Sequence, residues 1–244
     1  MNNDKVKILD IPFINITFEE MVNETVRNIN TSKKTFIVTA NPEIVMYAKR
    51  NNLYKENLLI ADYIVPDGFG ILLASKILGL PLEERVTGFD LTMNLLEQAV
   101  DNSWSIFLLG GTEETNERAA SNMSVKYPGI KLAGRHHGFF ENNEEEIIEK
   151  VKASKADIVL VAMGFPKQEQ WISSHLRLFE KGVFIGVGGT IDVLAGTVKR
   201  APLFWRKSNL EWLYRLIKQP SRWKRMLFLP LFVLDVIKSK YRNN

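Results

Sequence analysis

Ile64-Val65-Pro66-Asp67-Gly68-Phe69-Gly70 links an apolar run, Leu58-Leu59-Ile60-Ala61, to a second, Ile71-Leu72-Leu73-Ala74-Ser75-Lys76-Ile77-Leu78. The first run leads through Asp62 and Tyr63 into a short strand that ends in a Pro-Asp-Gly turn. The second has the length and composition of a buried helix. Asp67 therefore stands at the end of a strand and at the mouth of a helix. A carboxylate there caps free backbone N–H groups or faces a ligand at the C-terminal edge of a sheet. The stretch by itself accommodates both roles.

The neighbouring sequence repeats this strand-then-helix pattern. Residues 6–16 read as one or two short strands, and Thr17-Phe18-Glu19-Glu20 is a capping box that opens a helix to about residue 30. Thr35-Phe36-Ile37-Val38-Thr39-Ala40 is a buried β run ending in Asn41-Pro42-Glu43, where Asn41 caps the next helix and Pro42 suits its first turn. Thr87-Gly88-Phe89-Asp90 starts a helix reaching about residue 101. Strands are expected at 104–109, 132–135, 157–163 and 183–187, and helices at 113–127, 143–154 and 167–179. Such alternation predicts an α/β fold: a Rossmann-like, mostly parallel sheet flanked by helices, with right-handed crossovers.

In such a sheet, ligands bind beyond the carboxyl ends of the strands. Five turns at that edge carry polar or glycine-rich residues: Thr39-Ala40-Asn41, Pro66-Asp67-Gly68, Gly110-Gly111-Thr112, Gly164-Phe165-Pro166-Lys167-Gln168-Glu169 and Gly186-Val187-Gly188-Gly189-Thr190. Each glycine pair either brings backbone close to a phosphate at a helix N-terminus or simply makes a turn. Neither is GxGxxG, because residue 191 is isoleucine, and no P-loop lysine motif occurs. Gln168 reads as a donor to a ligand or as part of a solvated first turn with Glu169. Arg85 lies in the loop Glu83-Glu84-Arg85-Val86, where a surface ion pair is the default. His136, His137 and His175 have no metal-ligand spacing, so no metal and no cofactor are expected. The chain has no Asp-x-Asp and no Gly-x-Ser-x-Gly, which removes a metal–nucleotide clamp and a serine-hydrolase elbow.

The charge is unevenly spread. Residues 199–244 carry 12 Lys/Arg against two acids, a net +10, while residues 1–198 carry 20 against 26, a net −6. Tryptophans 205, 212 and 223 interleave with arginines 206, 215, 222 and 225, ahead of a 12-residue apolar run at 226–237. That run is too short to span a bilayer but suits a segment lying in the headgroup region of an anionic membrane. A helix docked on the body or on a partner subunit is the alternative; RNA binding by a basic arm fits less well, since RNA needs no greasy run. The expected organisation is a body at 1–195 and a helical, membrane-associating appendage at 196–244. Deleting the appendage should then leave a soluble body. The absence of cysteine excludes disulfides and thiolate metal sites, and the first residues carry no signal-peptide pattern.

Taken together, Thr39-Ala-Asn41-Pro42-Glu43, Pro66-Asp67-Gly68, Arg85-Val-Thr-Gly88, Gly110-Gly111, Gly164-Phe-Pro166-Lys-Gln168-Glu169 and Gly186-Val-Gly188-Gly189, closing on Lys199-Arg200-Ala201-Pro202, closely resemble the WecG/TagA/CpsF glycosyltransferase family over residues 6–205. The tail looks like the TagA branch, whose members prime wall teichoic acid linkage units. The resemblance implies inverting, metal-independent transfer of N-acetylmannosamine from its UDP form to the C4 hydroxyl of GlcNAc on undecaprenyl diphosphate, at the inner face of the plasma membrane. It implies catalytic roles for Asp67, as general base, and for Thr39. It places Asn41, Gly68, Arg85, Gly110, Gly111, Gln168, Glu169, Gly188 and Gly189 around the substrates, and has Arg215, Arg222 and Arg225 close over them. The WecG branch, using the uronic acid sugar, stays open, as do a non-catalytic nucleotide-sugar module and a homo-oligomer through body or tail. The expected partners are the UDP-sugar, the lipid-linked acceptor and an anionic membrane, not nucleic acid.

Overall fold

The computed structural model describes residues 4–140, 143–208, 210–218 and 228–242. Its main sheet is made by the β-branched runs: β3 (Thr35–Ala40), β4 (Tyr63–Pro66), β5 (Ser105–Gly110), β6 (Lys131–His136), β7 (Ile158–Ala162) and β8 (Val183–Gly186), after an N-terminal antiparallel hairpin of β1 (Lys5–Ile8) and β2 (Ile11–Ile14). The six strands are all parallel, in the order β4-β3-β8-β7-β5-β6. Successive side chains alternate between two apolar layers, as the pleat requires: Phe36, Val38 and Ala40 enter one core and Ile37 the other. Both faces are covered, so the central strands are apolar throughout.

One layer holds α2 (Pro42–Arg50), α3 (Asn52–Leu59), α4 (Phe69–Leu78), α7 (Glu144–Ser154) and α8 (Lys167–His175); the other holds α1 (Phe18–Asn30), α5 (Gly88–Asp101), α6 (Glu113–Lys126) and α9 (Thr190–Leu194). The helix starts follow local chemistry. The Thr17 hydroxyl accepts the Glu20 N–H at 3.2 Å and the Glu20 carboxylate accepts the Thr17 N–H at 2.9 Å, which closes the expected capping box. Asn41 Oδ1 accepts the Ile44 N–H at 3.1 Å ahead of Pro42, as expected.

One expectation for the first stretch changes. The run 58–61 is not a strand lead-in: it ends α3, a helix capped by Asn51 Oδ1 through the Tyr54 N–H at 2.9 Å. Tyr54 and Leu58, four residues apart, share the buried face while Leu53, Leu59 and Ile60 face out, which is helical and not strand spacing. The short strand before the turn is Tyr63–Pro66.

The tail contributes α10 (Leu203–Lys207), α11 (Glu211–Lys218) and α12 (Phe228–Arg242). α12 packs on α2 and α4, with Phe232 and Val236 0% exposed inside the core of that layer. Lys49 Nζ reaches Asp235 Oδ2 at 2.7 Å, and the Arg50 guanidinium lies over the Phe228 ring. The opposite side of α12 leaves Leu231, Leu234, Ile237 and Tyr241 exposed. The greasy run thus divides into a docked face and a bare one. Among the described residues, no helix is long and apolar enough to cross a membrane.

Candidate active site

The parallel register brings β3 and β4 to the same level at their carboxyl ends, pairing Thr39 with Val65 and Ala40 with Pro66. The Asp67 N–H donates to the Ala40 carbonyl at 2.9 Å, and the Val86 N–H to the Pro66 carbonyl at 2.9 Å, which draws the Arg85 loop alongside. Gly68 follows with φ of +106°, a conformation that favours glycine, and turns the chain into α4. Asp67 Oδ2 accepts the N–H of Gly88, the first residue of α5, at 3.4 Å. Any Cβ at residue 88 would come within 2.7 Å of the Thr39 hydroxyl, so α5 begins directly on β3.

These segments enclose a pocket of about 280 Å³. It brings together Thr39, Asn41, Asp67, Gly68, Arg85 and Gly189 of the expected residues, with Thr87, Thr190 and an apolar side of Phe69, Phe89 and Val187. It also gathers residues that the sequence reading did not assign: Glu43, Arg200, and from the tail Glu211, Trp212, Phe228 and Leu229. Arg200 was visible as part of the Lys199-Arg200-Ala201-Pro202 motif, and Trp212 as a tail aromatic. Their shared wall follows from chain folding and has no local signal.

Arg200 is fixed by α5. Its Nη1 and Nη2 donate to Asp90 Oδ1 and Oδ2 at 2.5 and 2.8 Å, and its guanidinium lies 4.2 Å from the centre of the Phe89 ring. Burial raises the Asp90 pKa, but hydrogen bonds from Arg200 and Thr87, with the Arg200 and Arg85 charges, outweigh it and leave the carboxyl below its ordinary value.

Other expected residues stand elsewhere. Gly110 ends β5 and Gly111 follows it, four strand spacings from β4, roughly 19 Å across the sheet. A Cβ on Gly110 would meet the Ala162 backbone at 2.3 Å, so close approach of β5 to β7 accounts for this glycine. Gly188 does not line the pocket, though Gly189 does. Gln168 and Glu169 are buried and do not line it either. Gln168 Nε2 donates to Glu169 Oε1 at 2.6 Å, its Oε1 accepts the Gly188 N–H at 3.0 Å, and the Tyr54 hydroxyl donates to Glu169 Oε2 at 3.1 Å. The solvated first turn is therefore corrected: α8 turns this pair inward, where Gln168 braces the Gly188–Gly189 loop and Glu169 holds Gln168 and Tyr54. Arg215 belongs to α11, while Arg222 and Arg225 lie outside the described residues. Among the described residues, no three of His, Asp and Glu converge as a metal-binding group.

Burial raises the Glu169 pKa from the ordinary 4.5 to about 7, against hydrogen bonds from Gln168, its own backbone and Tyr54 that lower it. Between those values the folded protein keeps a proton that the unfolded chain releases. Stability on this account is greatest below pH 4.5 and falls as pH rises to about 7, by on the order of 3 kcal/mol in all. Glu169→Gln carries no such proton. Urea unfolding at pH 8 and pH 5 should show the wild type gaining on the variant as pH falls; parallel pH profiles would contradict the assignment.

The family model described as "Glycosyl transferase WecG/TagA/CpsF family" matches residues 6–244. The chain is 42% identical over 242 residues to a protein of Staphylococcus aureus strain MW2, covering 98% of this chain and 94% of the relative. Identity and coverage are the same for the protein of strain NCTC 8325 / PS 47, and identity is 41% for that of strain MRSA252. All three are named N-acetylglucosaminyldiphosphoundecaprenol N-acetyl-beta-D-mannosaminyltransferase. With a match that runs from the first strand through the tail helices, this chain belongs to the WecG/TagA/CpsF family of glycosyltransferases.

Proposed function

We propose that this glycosyltransferase moves N-acetylmannosamine from UDP-N-acetylmannosamine to the GlcNAc of GlcNAc-diphospho-undecaprenol, with inversion. The observation that carries the reading is the meeting of Asp67, Thr39, Asn41 and Arg85 in one pocket at the carboxyl edge of the sheet. Asp67 takes the proton of the acceptor hydroxyl as its oxygen bonds to the anomeric carbon; the bond to the diphosphate breaks, and UDP leaves with the electron pair. Arg85 and the helix N-termini at the pocket supply positive charge to the departing diphosphate, so no metal is invoked. Thr39 and Asn41 orient the reacting sugars.

UDP release from UDP-N-acetylmannosamine with a GlcNAc-diphospho-lipid, run with and without EDTA, tests this directly. Release that needs the acceptor and survives EDTA is expected. Binding without release would make the chain a nucleotide-sugar module, and preference for the uronic acid donor would move it to the WecG branch.

A lipid-linked acceptor calls for an enzyme at the membrane surface, and we assign this role to the bare face of α12, Leu231, Leu234, Ile237 and Tyr241, beside Lys238, Lys240 and Arg242. Leu231→Glu with Leu234→Glu should lower binding to anionic vesicles about tenfold or more, given the apolar surface that each leucine would bury. Transfer to a detergent-solubilised acceptor should persist. Unchanged sedimentation with vesicles would remove α12 as the anchor.

A further inference from the structure

We propose that Asp90 is a positioning residue of this site, acting through Arg200 to hold the segment that carries Trp212 against the pocket. Asp90 lies in the first turn of α5, the turn whose leading N–H, from Gly88, reaches Asp67. Its two carboxylate oxygens take both terminal nitrogens of Arg200, and the Thr87 hydroxyl donates to Oδ2 at 2.6 Å. The Arg200 side chain is only 13% exposed, and its Nε lies 4.0 Å from Glu211 Oε1. Glu211 opens α11, and the next residue is Trp212, which forms a pocket wall with Arg200 and Phe89. Two side chains thus connect α5 to the tail.

Between these points the tail is unevenly packed, with Ala201 buried. Leu203 and Phe204 of α10 are exposed, and the Trp205–Tyr214 ring contact, 5.8 Å between centroids, joins tail to tail. The Asp90–Arg200 fork ties α5 of the body to the start of the 201–212 segment. A planar guanidinium held bidentately fixes direction as well as distance. It also engages the charge of Arg200: with both terminal nitrogens on Asp90, this arginine serves as a pin for the wall, and among the described lining residues Arg85 is the other cation at the pocket.

The experiment compares the full-length wild type, Asp90→Asn, Arg200→Lys, Trp212→Ala and the double variant Asp90→Asn/Trp212→Ala. Limited trypsin digestion should cut Asp90→Asn and Arg200→Lys within 199–218 about tenfold faster than the wild type, while sites in the body stay protected as long as α12 remains docked on α2 and α4. In transfer assays, Asp90→Asn should raise KM about tenfold with kcat within about threefold, and should add little to a chain already lacking Trp212. Arg200→Lys keeps the charge but loses the fork, and should behave like Asp90→Asn even if the latter folds poorly. Wild-type cleavage rates in both variants, additive losses in the double variant, or a lowered melting temperature with unchanged KM would each overturn the proposal. The kinetic arm rests on the glycosyl transfer proposed above; the trypsin arm does not, so failure of one is distinguishable from failure of the other.

Discussion

Asp67→Asn should lower turnover by about 10²–10⁴-fold, the usual contribution of a positioned general base, with fold and donor affinity close to wild type. The amide occupies the same volume and still offers an oxygen to the Gly88 N–H, the contact made by Oδ2 at 3.4 Å. The backbone N–H of residue 67 still donates to Ala40, so the turn into α4 is kept. What the amide lacks is basicity toward the acceptor hydroxyl. Single-turnover rates at saturating substrates, with donor binding measured by titration, separate these effects. Turnover within about threefold of wild type would remove Asp67 from the base's role.

Phe232→Ala should destabilise the whole protein by about 3–5 kcal/mol, the range for emptying a well-packed aromatic site. That is a large share of the ~5–15 kcal/mol that holds a typical domain folded. Phe232 is fully buried in the same apolar layer as Ile71 and Ala74 of α4 and Val45 and Met46 of α2. One turn earlier, Leu229 and Pro42 sit so close to Gly70 that any side chain there would collide with both. Since Asn41 caps α2 and α4 follows the Asp67 turn, loosening α12 also loosens the pocket. Urea denaturation followed by circular dichroism measures the effect. If the tail were an appendage beginning at residue 196, the body's unfolding midpoint would not move, and deleting 196–244 would leave a stable body. The packing leads us to expect the opposite: that deletion uncovers the α2–α4 surface and yields an unstable chain.

The parts of the site that could be read from the residues are those set by local chemistry. Asn41-Pro42 announces a capped helix, and Pro66-Asp67-Gly68 announces a turn at a strand's end; both stand where their residue types require. The glycine turns and the Gln168-Glu169 pair were legible as positions on the strand ends but not as neighbours. Gln168 looks like any polar residue opening a helix until α8 folds back on Tyr54, 114 residues earlier in the chain, and its amide is taken by Glu169 and Gly188.

Strand and helix positions follow from β-branched runs, apolar spacing and end-capping groups, all of which act within a few residues, and so the α/β class and the carboxyl-edge location of Asp67 were already present in the residue order. The strand order β4-β3-β8-β7-β5-β6 was not. It depends on which apolar faces bury each other best across the finished sheet, a competition no short window contains. That order puts Gly189 beside Asn41 and carries Gly110 away from Asp67. The same long-range burial turns half of a greasy terminal run inward as Phe232 and Val236, and brings Arg200 and Trp212 onto a pocket that opens far earlier in the chain.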